Sequence, residues 1–285
     1  MNKNMLVCDL DNTLYDWVSY FVPAFYAMVE EAVRILNCDR DRLLDDFRDV
    51  HRQHHDSEHP FSLLETQTVK EIFAGQSRKD IAKELDPAFH AFNSIRKRNL
   101  QLYPGVREGL EKLSHSGVIL VAHTESKLYA VVDRLMRLEL TEYFQSIYCR
   151  ERSNSLHPDP DSGNRWLEKF PLSKIIELSH HQRKPDPAVL LEICQKENML
   201  PEDTAYVGDS IARDILMAKT AGVFAIWAKY GTFHKFEEYQ KLVRVSHWTE
   251  QDVARERELN ERAKGIKPEY VLECTFGDIA QAVEH

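Results

Sequence analysis

Four short segments constrain this chain more than any other feature. In order they read Asp9-Leu10-Asp11-Asn12-Thr13, then Thr124, then Lys184-Pro185, then Gly208-Asp209-Ser210 with Asp214. Each stands at the end of an apolar run or in a turn beside one. A fold that uses them together must bring the ends of several distant strands to one place. An open parallel sheet does this, because its ligands bind beyond the carboxyl ends of the strands where the strand order reverses. The inventory is a nucleophilic carboxylate, a second carboxylate, a hydroxyl, an ammonium and two further acids. Phosphoryl transfer through an aspartyl-phosphate needs those groups.

The intervening sequence agrees with such a sheet. Residues 5–10 form a short apolar run ending in acid, which reads as a buried parallel strand. From 17 to 100 the pattern is helical, with helices predicted at 17–36, 40–55, 61–74, 77–85 and 87–100. Trp17, Tyr20, Phe21, Ala24, Phe25, Met28 and Val29 recur at helical spacing. Asp16 is placed to cap that helix. After Tyr103-Pro104-Gly105 the pattern alternates. Helix 105–116 leads to strand 118–122, with Gly117 as the stop. Helix 127–138 leads to strand 146–149, helix 186–197 to 204–207, and helix 211–221 to 224–228. A last strand is predicted at 270–274. The expected fold class is α/β: a doubly wound parallel sheet from 1–15 and 103–285, with a smaller all-helical cap domain at 16–102. Two stretches, 150–183 and 230–267, exceed the usual connection of about 2–6 residues. They read as inserts bordering the site, the first with a helical fragment around 166–170.

Composition narrows the partners. The 285 residues carry a net charge of −9, which disfavours a nucleic acid polymer as ligand, since phosphate backbones call for a basic footprint. Small phosphorylated metabolites stay open. No run approaches the roughly 18 apolar residues of a membrane span, and residues 1–4 run straight into a strand with no signal-peptide pattern. Five scattered cysteines without a Cys-x-x-Cys pair fit reduced thiols and a cytoplasmic location. A monomer or homodimer is expected.

The chemistry follows from spacing. Residues two apart on an extended chain face the same side, so Asp9 can attack phosphorus while Asp11 protonates the leaving oxygen and later activates water. Asp209 and Asp9 can share a Mg²⁺ ion with a backbone carbonyl, because Mg²⁺ takes a few hard oxygens and keeps its waters. Lys184 would neutralise the nucleophile and the phosphoryl oxygens, and Thr124 would donate to them. Each segment alone is weak, because acids after a strand commonly cap the next helix. The joint occurrence in this order carries the reading.

These segments resemble the haloacid dehalogenase-like (HAD) hydrolase superfamily, with Leu14 extending the first motif and Arg183-Lys184-Pro185-Asp186-Pro187 forming the third. Tyr103-Pro104-Gly105-Val106 is similar to the family's return from cap to core, and Ala218 with Gly222 fits the helix after the last motif. The resemblance implies Asp9 as nucleophile, Asp11 as acid/base, and Thr124 and Lys184 as phosphate and charge partners. It implies Mg²⁺ held by Asp9, Asp11, Asp209 and Asp214, the last directly or through water. An acid at Asp11 implies phosphate chemistry, because dehalogenases of the family lack it. Thr13, Tyr15 and Trp17 stand near enough to be substrate contacts. One departure is Glu125, where many relatives have Asn. A carboxylate should not face a phosphate, so Glu125 is expected to turn toward a backbone N–H, toward Lys127 or another cation, or toward a cationic group of the substrate.

Other residues invite blander readings. His51, His54, His55 and His59 suggest a metal site, but a solvated cap surface is the simpler expectation. His180-His181 reads as loop. Arg96, Lys97 and Arg98 end a helix, where cations are favoured anyway. Three functions fit the whole: a Mg²⁺-dependent phosphatase, a phosphomutase or other phosphotransferase using the same intermediate, and a non-catalytic binding protein on this fold.

Overall fold

Alternate residues of the first strand, β1 (Met5–Cys8), face opposite sides, and both sides are apolar. Leu6 and Cys8 join one buried cluster with Leu110, Val131 and Ile279, whereas Met5 and Val7 join another with Leu190, Ile193 and Met217. A strand buried on both faces belongs in the middle of a helix-covered sheet. The computed structural model describes residues 3–151, 169–179, 181–233 and 236–284. It places β1 centrally among β2 (Ile119–Lys127), β3 (Ser146–Arg150), β4 (Ile175–Leu178), β5 (Thr204–Gly208), β6 (Phe224–Ala228) and β7 (Tyr270–Leu272). The order is β4-β3-β2-β1-β5-β6-β7, and every pairing is parallel. The chain winds outward from β1 to β4 and then crosses to β5 on the other side of β1. The crevice between those two directions is the switch point.

Twelve α-helices complete the described fold. They are α1 (Trp17–Leu36), α2 (Arg40–His54), α3 (Gln67–Ile72), α4 (Arg78–Glu84), α5 (Asp86–Asn99), α6 (Val106–His115), α7 (Leu128–Arg137), α8 (Pro187–Lys196), α9 (Leu216–Thr220), α10 (Phe236–Val245), α11 (Glu250–Arg262) and α12 (Ile279–Glu284). No helix among the described residues is long and apolar enough to cross a membrane. Asp16 caps α1 by accepting from the Ser19 amide at 2.9 Å.

The structure departs from the sequence expectations in four places. β2 runs on to Lys127, so Thr124, Glu125 and Ser126 lie on the strand; a register irregularity against β3 between His123 and Lys127 accommodates the extension. The stretch expected as an insert from 150 contains β4, because the short run Ile175-Ile176-Glu177-Leu178 pairs with β3 at the sheet edge. Most of the fragment expected near 166–170 lies outside the described residues. The helix expected at 211–221 opens as a π-turn, Ile211–Ile215, before α9.

The fourth departure concerns 230–267. Leu242 and Val245 of α10 are buried in the same apolar cluster as Phe21, Phe25, Val29, Leu43 and Phe47 of α1 and α2. Tyr26 donates to the Lys241 carbonyl at 3.0 Å, and Arg244 pairs with Asp45 at 2.7 Å. α10, in a stretch expected as an insert of the sheet domain, therefore shares the core of the helical region.

His51 shows how the two segments are joined. Its Nδ1 lies 2.7 Å from the Val245 carbonyl and so carries the proton, while Nε2 is buried without a hydrogen-bond partner. Burial lowers its pKa from the ordinary 6.5 to about 4. Below pH 6.5 the unfolded chain takes up a proton that the folded chain refuses until about pH 4. Stability from this group is thus complete above 6.5, falls between 6.5 and 4, and then levels off. At about 1.4 kcal/mol per pH unit, the loss is on the order of 3 kcal/mol. Urea unfolding across that range should show a shallower acid loss for His51→Gln than for the wild type. Equal slopes would remove His51 from the account.

Candidate active site

The acids of the first and last motifs meet because β1 and β5 are neighbours. Asp9 leaves β1 and Asp209 leaves β5, while the π-turn brings Asp214 back beneath them. Gly208 allows this approach, since a Cβ there would stand 2.3 Å from the Asp214 carboxyl carbon. Gly231 likewise passes against the Asn12 carbonyl, 1.8 Å from where its Cβ would lie. Asn12 turns the chain out of β1 in the left-handed region at φ 59° and accepts from the Trp17 amide at 3.1 Å.

One ammonium serves two of these acids. Lys184 Nζ lies 2.5 Å from Asp9 Oδ1 and 2.8 Å from Asp214 Oδ1, all three groups being buried. Thr13 donates to the other Asp9 oxygen at 2.9 Å. Asp214 also accepts from the Ser210 amide at 3.0 Å and from Tyr206 at 3.2 Å. Burial pushes Asp9 up to about 7 against the pull of Lys184, with Asp214 and Asp11 adding to the rise. Asp209, whose side chain reaches the cleft, is held well above the carboxylate range by burial and by Asp214 and Asp9. Burial opposes the charge of Lys184, but Asp214 and Asp9 outweigh it and hold its pKa well up.

The cleft above these groups measures about 370 Å³. Asp9, Asp11, Thr124, Lys184, Asp209, Asp214 and Trp17 line it, together with Tyr239, Trp248, Arg255 and Glu256 from the 230–267 stretch. Thr13 and Tyr15, expected as substrate contacts, do not. Thr13 is spent on Asp9, and Tyr15 is fully buried, with its ring 5.5 Å from the Arg134 guanidinium. Trp17 lines the cleft but gives its indole N–H to Glu58 at 3.0 Å. Thr124 Oγ1 accepts from the Ser126 amide at 3.1 Å. Glu125 turns to a cation as expected, though to Arg213 at 3.2 Å instead of Lys127. Arg213 is shared with Glu256 of α11 at 2.7 Å. Lys127 instead reaches Asp56 at 3.6 Å and the His54 carbonyl at 3.1 Å.

The Asp11 side chain is not part of the cluster formed by the carboxylates of Asp9, Asp209 and Asp214. Its Oδ2 accepts from Ser126 at 2.5 Å, and its Oδ1 lies 3.4 Å from Arg134. Arg134 is fully buried and also reaches Glu58 at 2.8 Å. Sequence reasoning missed Arg134, Ser126 and Glu58. A signal existed for Arg134: it follows Val131 by three and precedes Leu138 by four, and both of those are buried. Helical spacing therefore drives this charge inside.

The histidines also correct an expectation. His51 and His59 are buried, not part of a solvated face. His54 and His59 stack at 3.5 Å and share Glu65, at 2.7 and 3.2 Å. Glu65 supplies the acid that the sequence reading did not see, but Arg78 also reaches it at 3.4 Å. Arg96 is nearly buried beside Asp133 at 3.3 Å, so it is not a free anion-steering charge.

The sequence profile of the haloacid dehalogenase-like hydrolase family matches residues 4–222, and a HAD-hydrolase-like profile matches 181–273. The chain belongs to the haloacid dehalogenase-like hydrolase family. A probable phosphoglycolate phosphatase of Pseudomonas putida is 29% identical over 136 residues, covering 47% of this chain and 42% of the relative. The chain thus spans less than half of that relative. A glyceraldehyde 3-phosphate phosphatase of Methanopyrus kandleri is 24% identical over 235 residues, covering 80% and 85%. The crystal structure of 2-haloacid dehalogenase from Pseudomonas syringae pv. tomato DC3000 shares the fold over 100% of this chain and 99% of that one. Its TM-score is 0.58 at 19% identity.

The acidic cluster of this HAD-family chain suits the divalent ion that the family implies. Carboxylate oxygens of Asp9, Asp209 and Asp214 lie within 4.8 Å of one another. An octahedral Mg²⁺ with bonds of about 2.1 Å spans its ligands over roughly 4 Å. Lys184 pairs with only two of the three acids, and the raised Asp9 and Asp209 register the excess negative charge that a hard dication offsets.

Proposed function

We propose that this chain hydrolyses a small phosphate monoester through a phosphorylated Asp9, with Mg²⁺ as cofactor. The observation that carries the reading is the pairing of two carboxylates with different surroundings in one cleft. Asp9 is held by Lys184 and Thr13 among the acids of the switch point. Asp11 lies two residues on and is held by Ser126 and Arg134, away from that cluster. An Asp9 oxygen bonds to phosphorus as the ester oxygen departs, taking a proton from Asp11. Water then attacks the phosphorus and yields its proton to Asp11, and the Asp9–phosphorus link breaks to release phosphate. Lys184 steadies Asp9 and the phosphoryl oxygens, and Thr124 lies on the wall beside them. Asp9, Asp209 and Asp214 would hold a Mg²⁺ ion, which would supply charge neutralisation for the phosphoryl group.

The acid at position 11 favours phosphate over halide chemistry. The relatives named phosphoglycolate and glyceraldehyde 3-phosphate phosphatase support a small phosphorylated substrate. The Glu125–Arg213 pair weakens the idea that Glu125 greets a substrate amine. Incubation with 4-nitrophenyl phosphate and Mg²⁺, with and without an added polyol, tests the reading. Nearly all phosphoryl groups are expected as inorganic phosphate. Predominant transfer to the polyol would point to a phosphotransferase, and no nitrophenol release would leave only a binding role.

A further inference from the structure

We propose that Arg134 is a positioning residue for Asp11, and that Glu58 makes this positioning depend on how the helical region meets the sheet. The inference rests on the reading of Asp11 as proton carrier. Arg134 is the largest fully buried side chain among the described residues. A guanidinium is kept there only if acceptors meet it. They come from three segments: Ser126 Oγ at 2.7 Å, Asp11 Oδ1 at 3.4 Å and Glu58 Oε2 at 2.8 Å. The rings of Tyr15 and Tyr20 flank it at 5.5 and 5.9 Å, which leaves it little room to swing.

The consequence for Asp11 is geometric. Ser126 accepts from Arg134 and donates to Asp11 Oδ2 at 2.5 Å, so one guanidinium orients both the hydroxyl and the carboxylate. Asp11 lines the cleft, with Oδ2 held by Ser126 and Oδ1 buried against Arg134 without a hydrogen bond among the described residues, so the same guanidinium bears on both oxygens of the proton carrier. Glu58 belongs to the loop after α2, not to the sheet, and its Oε2 also takes the Trp17 indole N–H at 3.0 Å. The anchor of Arg134 therefore lies on the opposite wall of the cleft. If that wall moves away, Arg134 loses its closest carboxylate and Asp11 loses a fixed orientation.

A merely structural ion pair and a positioning device differ in which chemical step they touch. With 4-nitrophenyl phosphate the leaving phenolate departs with its electron pair and needs no proton. Bond formation from Asp9 to phosphorus is then independent of Asp11. Hydrolysis of the phosphorylated Asp9 still needs Asp11 to take the proton of the attacking water. Ser126→Ala and Glu58→Gln should therefore leave the first step near wild type and slow the second at least tenfold. In stopped flow, each should show a burst of about one nitrophenolate per site followed by a slow phase, larger than any wild-type burst. With an alkyl phosphate both steps need the proton, so turnover should fall with no burst. Arg134→Lys should recover more of the second step than Arg134→Met. Should Arg134→Met fail to fold, the Ser126 and Glu58 variants, which retain the guanidinium, decide. Variants that slow both phases by one factor, or neither, overturn the proposal. Full activity of Asp9→Asn would instead overturn the aspartyl-phosphate reading beneath it.

Discussion

Asp9→Asn lowers turnover of any phosphate ester by more than a hundredfold and leaves the fold intact. The expectation joins two features of the cleft. Chemically, the amide is a poor nucleophile and a poor partner for a dication, so one substitution removes both proposed roles of the side chain. Structurally, Asp9 is not what keeps Lys184 charged and buried, because Asp214 holds the same ammonium at 2.8 Å. The amide oxygen can still face Lys184, and the Thr13 hydroxyl can rotate to accept from the amide nitrogen. Removing a carboxylate that burial already pushes up to about 7 also relieves crowding with Asp214 and Asp209. Steady-state rates and thermal unfolding together check this. Activity above a hundredth of wild type would sink the covalent mechanism, and loss of the cooperative unfolding transition would show that Asp9 holds the fold.

The sheet and the primary charges were legible in the sequence because they depend on short-range signals. Apolar runs ending in Asp9 and Asp209, and the glycine before Asp209, are local marks of a parallel strand meeting a site. The surroundings were less legible because they depend on pairings across long sequence distances. α10 lies in a densely charged stretch expected only as an insert, yet Leu242 and Val245 pack about 200 residues away against α1 and α2. Periodicity says that such a helix has an apolar face, not which face it meets. Arg134 is the same problem in electrostatic form: spacing puts it inward, but only the fold shows Asp11 and Glu58 waiting there. Glu125 was expected to find Lys127 or another cation, and it finds Arg213. Lys127, two positions on along β2, is drawn off by Asp56, so Arg213 from the π-turn takes its place. β4 was hidden by the polar sequence around it, since four residues at a sheet edge make a weak pattern.

Removing divalent metal is expected to abolish activity, with Mg²⁺ restoring it and Ca²⁺ failing to do so. The argument starts from charge. Asp9, Asp209 and Asp214 converge within 4.8 Å, and Lys184 offsets only part of their charge. Adding a phosphate dianion to that cleft is unfavourable, because like charges at about 4 Å cost roughly 1 kcal/mol even in water and more in a drier site. A dication reverses the sign of that interaction. Mg²⁺ accepts few protein oxygens at about 2.1 Å and keeps waters and phosphate in its remaining positions. Ca²⁺ seeks six to eight ligands at about 2.3–2.6 Å, so it should bind the acids but hold the phosphoryl group too loosely for in-line attack. The raised Asp9 also gives a direction with pH: the ligands must be deprotonated to bind, so Mg²⁺ affinity should weaken as pH falls through about 7. Asp209→Asn should raise the Mg²⁺ concentration for half-maximal activity at least tenfold. Mg²⁺ titrations of chelator-treated protein at pH 6 and 8, read both by turnover and by the rise in unfolding temperature on metal binding, check each point. Undiminished turnover in excess chelator, or normal turnover with calcium alone, would remove the metal from the mechanism.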